Sequence, residues 1–442
     1  MNKRYELVRY TAYNVTGMKL HLEKMARSGW LIDHINNNFW CYKKIEPKDL
    51  SFTVSYFAKA SAFEPEKSAG QETFEEMAAH DGWKLMAENA KLQIYANENQ
   101  DATPMYTDAE SEVNAIIKST KSFIYTAIML IAIVGLNFFS VFRGFKADPL
   151  MFLADMSLLF ITIGVIILLV NMLSILIRYF IWKHKALKAI EDDEFIETAK
   201  SDFSFQTQIV VIAMVVMLSG VIASGNLAMA SMMLCTFFGI MIMYFIVDAF
   251  RNLLKKKKVD KDTNLFFTIF VDIALALVLA FAVTSFAINT DVNDSYNGNQ
   301  VLMKTSDFID GESDKMLNEY KESPFIRYNY AYSYATVNEN FSYKVIDVKL
   351  ESLEAFALEK MLDSYHDYGL SYDEEGRPIK EGNYYYQEID AAMFKADKAY
   401  QLWGYDNARN DYLIKYGNRL VELKFSWEID EDAKLKVANV LK

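Results

Sequence analysis

The sequence predicts a membrane α-helical bundle of five spans with a folded α+β domain at each end. Three observations predict it. The 442-residue chain is 52% hydrophobic, with 31 Phe and 21 Met beside only 6 Pro. Its apolar residues are concentrated between about Ser122 and Ile288. The flanking regions are polar and carry the mixed periodicities of globular domains. This composition excludes intrinsic disorder, a collagen-like chain and a disulfide-stapled secreted module. The net charge of −12 argues against direct nucleic-acid binding, which needs a basic face.

A spanning helix needs about 20 apolar residues, because the hydrocarbon core is roughly 30 Å thick and each residue rises about 1.5 Å. Five runs qualify: Phe123–Phe142, Met151–Ile181, Phe205–Ser224, Met229–Phe250 and Leu265–Ile288. The second is too long for one upright span, so it tilts or leaves the bilayer at Arg178. Gly225-Asn226-Leu227-Ala228 alone separates the third from the fourth, which makes a tight hairpin. Lys and Arg stay on the cytoplasmic side of span ends. Eleven of them fall in Arg178–Lys200 and Arg251–Lys261, against only Arg143 and Lys146 on the other side. The expected topology has the N-terminus in the cytoplasm and the region from Asn289 outside. Met1-Asn2-Lys3-Arg4 is polar, so no cleavable signal peptide is expected. Cys41 and Cys235 fall in different compartments under this topology, and a disulfide-free outer domain suits a bacterial cell surface.

Residues 1–100 read as a cytosolic domain. Tyr5–Ala12 alternates as a strand. Val15, Met18, Leu22 and Met25 recur at helical spacing up to Gly29. Strands follow at Trp40 and Tyr42 and at Phe52, Val54 and Tyr56. A second helix, Gln71–His80, turns Phe74 and Met77 inward and ends at Gly82; Leu92 and Ile94 mark a last strand. Strand, helix, strand, strand, helix, strand is the ferredoxin-like βαββαβ order. An internal repeat supports it: Leu22-Glu23-Lys24-Met25-Ala26 with Gly29-Trp30 parallels Phe74-Glu75-Glu76-Met77-Ala78 with Gly82-Trp83, the second copy one residue longer. Trp30 and Trp83 would each start a strand and anchor the core beneath a helix.

Tyr10-Thr11-Ala12-Tyr13, the Leu22–Ala26 segment and Gly29-Trp30 resemble the bacterial domain-of-unknown-function 2812 family over roughly the first 120 residues. That resemblance implies a domain often encoded beside PadR-type transcriptional regulators, and hence regulation. It supplies no catalytic residues.

Residues 101–121 read as a linker and 122–288 as the membrane region. Residues 289–442 form an extracellular α+β domain with 29 acids and 18 bases. A strand is predicted over Phe341–Leu350 and a helix over Leu353–Tyr365. Asp411–Glu428 reads as a hairpin turning at Gly417-Asn418, and a closing helix starts at Ile429. Tyr328, Tyr330, Tyr332 and Tyr334 alternate and would line one strand face, with Tyr384, Tyr385 and Tyr386 as a second group. The four alternating tyrosines are the candidate binding residues, for a peptide, glycan or drug-like ligand; the plainer alternative is a thin core with hydroxyls reaching water.

Catalytic signatures are missing from the sequence. It has no phosphate loop, no Gly-x-Gly-x-x-Gly fingerprint and no Gly-x-Ser-x-Gly elbow. None of the five His lies at metal-ligand spacing from a Cys or second His, so no metal, no cofactor and no enzymatic activity are expected. Asp373-Glu374-Glu375-Gly376 reads as a solvated turn rather than a calcium loop. Asp272 is the one carboxylate well within a span, with Asn137, Asn171, Gln206 and Gln208 as possible partners. It is read as interhelical glue or as a proton or substrate relay. Lys255, Lys256, Lys257 and Lys258 would meet anionic lipid at the inner leaflet. The functional expectation is a bacterial membrane sensor that joins an outer ligand- or stress-sensing domain to an inner domain binding a cytosolic regulatory protein. The alternative is a transporter or transport accessory using Asp272.

Overall fold

A computed structural model describes residues 2–7, 10–36, 39–192, 194–196, 198, 203–289, 301–309, 315–336, 338–365, 371–372, 378–380 and 384–442. It divides into two compact units. The first comprises Met1–Phe138, Ile163–Val215 and Ser231–Phe286; the second comprises Phe139–Thr162, Val216–Ala230 and Ala287–Lys442. The acidic segment Asp373–Gly376, His366 and residues 290–300 lie outside the described residues.

The N-terminal domain consists of two βαββ halves. The first is β1 (Lys3–Leu7), α1 (Val15–Arg27), β2 (Trp30–Ile35) and β3 (Phe39–Lys44). The second is β4 (Ser51–Tyr56), α2 (Ala69–His80), β5 (Lys84–Asn89) and β6 (Leu92–Asn97). Each half forms its own three-stranded antiparallel sheet, ordered β1-β3-β2 and β4-β6-β5. The expected six-element ferredoxin-like order therefore gives way to eight elements in two sheets.

The halves match without a gap from helix end to last strand. Gly29 (φ +80) and Gly82 (φ +82), and the buried Tyr42 and Tyr95, are each 53 positions apart (82 minus 29, 95 minus 42). A β-bulge recurs at the same place, between Ile32 and His34 and between Leu85 and Ala87. In this register Met25 corresponds to Ala78, and both are buried. Met77, expected to point inward, is 67% exposed, because the Gly82 cap sets the helix one residue out of the sequence alignment.

The main core of this domain gathers Met18, Leu22, Ile32, Trp40, Tyr42, Phe52 and Ile94. The ends of two long helices complete it: Val113 and Ile116 of α3 (Ala109–Ala147) and Tyr179, Trp182 and Ala186 of α5 (Met156–Glu191). Trp182 stacks on Tyr13, with centroids 5.1 Å apart and planes 21° from parallel. The second half of the expected linker, from Ala109, is thus a helix continuous with the first apolar run.

Among the described residues, four helices are long and apolar enough to cross a membrane: α3, α5, α7 (Leu227–Lys256) and α8 (Lys261–Asn289), the last described in that respect to Phe286. In α6 (Phe203–Ala223) the described apolar part is the shorter Gln208–Ala223. The long second run is not one helix. It breaks at Asp155, between the short α4 (Pro149–Ala154) and α5. Asp148 caps α4 by accepting from Met151 N at 2.9 Å, and Asp155 caps α5 by accepting from Leu158 N at 3.0 Å.

The C-terminal domain is built on a seven-stranded antiparallel sheet ordered β12-β13-β14-β15-β9-β8-β7. In chain order these are β7 (Lys315–Glu322), β8 (Ile326–Thr336), β9 (Glu339–Val348), β12 (Tyr384–Ile389), β13 (Lys398–Gly404), β14 (Asn407–Tyr416) and β15 (Arg419–Phe425). The short β10 (Ser371–Tyr372) and β11 (Pro378–Lys380) pair separately. Strand alternation sorts the core into two faces. Phe341, Tyr343, Val345, Ile414, Val421 and Leu423 pack beneath α10 (Glu431–Leu441), which is capped by Asp430. Ile326, Tyr328, Ile346, Leu413 and Leu420 pack on the other face against α9 (Glu354–Leu362) and α4. The β14–β15 hairpin turns at Gly417-Asn418, as the sequence predicts, with Gly417 at φ +55.

Candidate functional site

The α9 face of the C-terminal sheet holds a polar cluster that borders two cavities. Strand register builds it. Glu319, Tyr330, Lys344 and Glu422 stand side by side on four successive strands, β7, β8, β9 and β15. The neighbouring row runs Tyr332, Ser342, Lys424, Asp411. A long apolar strand cannot supply such a row; the even positions of β8, β9 and β15 switch from Ile and Leu to Tyr, Lys and Glu along their length.

Glu422 is the centre of the site. Its side chain is 5% exposed and lies 3.5 Å from the ammonium groups of both Lys344 and Lys424. The Tyr386 hydroxyl donates to it at 3.4 Å. A carboxylate this deep needs such compensation, since an unpaired buried charge costs several kcal/mol. Burial, with Glu422 close by, pushes the Asp411 carboxyl up to about 6 against the opposing pull of Lys424 and Arg409. Burial raises the Tyr328 and Tyr386 phenols.

Two adjoining cavities share Lys344, Glu422 and Lys424. The smaller, about 180 Å³, is bordered by Glu319, Tyr328 and Tyr330. The larger, about 660 Å³, is roofed by Lys360 and Tyr365 near the end of α9 and by Lys146 to Leu150, where α3 gives way to α4. Lys424 lies 4.9 Å above the Tyr365 ring. The other end of α4 is tied to the sheet: Lys321 pairs with Asp155 at 2.9 Å, and Ser323 Oγ donates to Leu153 O at 2.6 Å. The arrangement suits reversible binding of a small polar solute, which could meet both ammonium groups and phenol hydroxyls.

Of the four candidate tyrosines, Tyr328 is buried in the core and also borders the cavity, and Tyr330 lies half-buried at its wall. Tyr332 and Tyr334 touch each other further along the strand, with ring centroids 5.7 Å apart. The sequence reading missed Glu422, Lys344 and Lys424. A charged residue at an inward position of a strand was the available signal.

Among the described residues, the candidate intramembrane residues Asp272, Asn137 and Asn171 make no hydrogen bond to one another. Asp272 is exposed and has no hydrogen-bond or ion-pair partner among the described residues. Asn137 donates to Ile133 O of its own helix at 2.9 Å. Asn171 is buried. Lys255 to Lys258 end α7 and its turn; Lys258 pairs with Glu66 at 2.7 Å. Among the described residues, one group could hold a metal: Asp33, His34 and Cys41.

Fold and site together define a chain of apolar, membrane-length helices that carries two α+β domains, one of which has a polar cleft. A family model described as a protein of unknown function (DUF2812) matches residues 17–128, from α1 into α3. No curated protein and no solved structure matches the chain.

Proposed function

We propose that this is an integral membrane sensor whose C-terminal cleft binds a small polar ligand outside the cell, and whose N-terminal domain acts on a cytosolic regulatory protein. Five helices cross the membrane, α6 among them, with the N-terminus inside. The clustering of Lys and Arg in Arg178–Lys200 and Arg251–Lys261 supports that orientation. One observation carries the sensing reading: the cleft wall includes Lys146 to Leu150, the joint between two membrane-length helices. A ligand seated there contacts the helix joint directly, so binding has a route to bias the helices. At the other end, α3 and α5 are part of the N-terminal core, so a helix shift must repack Val113, Ile116 and Trp182.

The test is transcript profiling of a deletion strain complemented with the wild-type chain or with Lys344→Gln, membrane levels being matched by immunoblot. Deletion should change a defined gene set; the wild type should restore it and Lys344→Gln should not. An unchanged profile on deletion, or full restoration by the variant, overturns the proposal.

A further inference from the structure

The N-terminal domain brings the adjacent Asp33 and His34 together with Cys41, which stands on another strand. His34 and Cys41 are seven positions apart on different strands, and the β2–β3 hairpin sets them directly opposite each other. Asp33 would ordinarily point to the other side of β2. The bulge between Ile32 and His34 removes that alternation, because the extra residue leaves two successive side chains on one face. As a result a carboxylate oxygen, an imidazole nitrogen and the Cys41 thiol all lie within 4.8 Å of one another.

The duplicated half supplies an internal control. The same bulge and the same cross-strand pair recur there, with Met86, Ala87 and Ile94 in place of Asp33, His34 and Cys41. That face of the second sheet is core, with Ala87 6% and Ile94 0% exposed. In the first half the face is open at His34 and half-open at Asp33. The bulge is therefore a property of the fold, whereas the three donors are particular to one copy. Cys41 itself is 1% exposed, with its Sγ within 4.8 Å of the donor atoms of Asp33 and His34.

We propose that Asp33, His34 and Cys41 form a binding site for a borderline divalent transition-metal ion, zinc foremost. One thiolate, one imidazole and one carboxylate is a donor set that hard cations such as magnesium or calcium do not favour. Donors around tetrahedral zinc sit roughly 3.3–3.8 Å apart, so closing the site needs about 1 Å of side-chain rotation. The exposed His34 can supply that movement. Lys3 and Lys43 lie 3.5 and 3.7 Å from Asp33; both are about half exposed and can swing into solvent as the ion displaces them. Three protein ligands leave a fourth position open on the solvent side, for water or a donor from a partner.

The site is independent of the sensing proposal and of membrane orientation. The test uses the full-length chain in detergent, with a histidine-free tag and a non-thiol reductant, titrated with Co²⁺. One equivalent should bind and give a thiolate-to-cobalt charge-transfer band that Zn²⁺ abolishes. Cys235→Ser should retain the band and Cys41→Ser should lose it. His34→Ala, at an exposed position, should weaken binding by at least about tenfold while leaving the melting temperature unchanged. Absence of a saturable band, its survival in Cys41→Ser, or an unchanged affinity in His34→Ala overturns the site. The last result decides the matter even if Cys41→Ser fails to fold.

Discussion

Gly29 and Gly82 close α1 and α2 in left-handed backbone, and at Gly29 an added Cβ would meet Ile45 O at 3.0 Å. Gly29→Ala should therefore destabilise the protein by about 1–2 kcal/mol, the cost of a left-handed L-residue. Gly135→Ala, in α3 with nothing within 4 Å, should not; thermal unfolding of both variants in detergent checks the contrast. Asp411 gives a pH signature. Its carboxyl is raised from 3.8 to about 6 by burial, so the folded state holds a proton that the unfolded state releases between those values. Stability contributed there falls as pH rises through that window, and the penalty is complete above about pH 6. Asp411→Asn should accordingly raise stability by roughly 1–2 kcal/mol at pH 7.5 and leave it unchanged near pH 4. Glu322 works in the opposite sense. Lys349, Tyr320 and Arg327 hold it down to about 2, so its contribution is full above about pH 4.5 and is lost on further acidification.

At the scale of elements, the docking of α5 into the N-terminal core is the contact most open to attack. Trp182 is 7% exposed and stacked on Tyr13, so Trp182→Ala should cost about 3–5 kcal/mol and lower the melting temperature of the N-terminal domain. Proteolysis that leaves Trp182→Ala as resistant as wild type would contradict that docking. The two helices of the N-terminal domain were legible in the sequence. Apolar spacing marks α1, and left-handed glycines mark the ends of α1 and α2. The Gly417-Asn418 turn marks the β14–β15 hairpin. Strands β2 and β5 were legible only at their starts, marked by Trp30 and Trp83, because the bulge in each breaks the period of two on which the rest of a strand is recognised. Met77 was misplaced for a related reason: a similar string, Glu-Glu-Met-Ala, aligned one residue away from the register that the glycine cap enforces. The α4–α5 break is hidden within Met151–Ile181, which is almost uniformly apolar, and only Asp155, as an N-cap, marks the joint. The cleft was half visible. Its tyrosines alternate in one strand, but Lys344, Glu422 and Lys424 come from separate strands and meet only through register.

At the scale of the molecule, the boundaries between the two compact units fall inside α3, α5, α6, α7 and α8. Coupling across a membrane requires the two domains to face different compartments, and that depends on whether α6 spans. Four crossings put both domains on one side; five put them on opposite sides. Native Cys41 is no reporter for this question, since it is 1% exposed and would stay silent in either compartment. Single cysteines at the exposed Glu46 and Glu428, each in a Cys235→Ser background, are suitable reporters. The decisive measurement is labelling of intact cells with a membrane-impermeant maleimide, followed by labelling after permeabilisation. Glu428→Cys should react in intact cells, and Glu46→Cys only once the membrane is opened. Equal labelling of the two in intact cells, or the reverse order, would contradict a sensor that spans the membrane with its cleft outside.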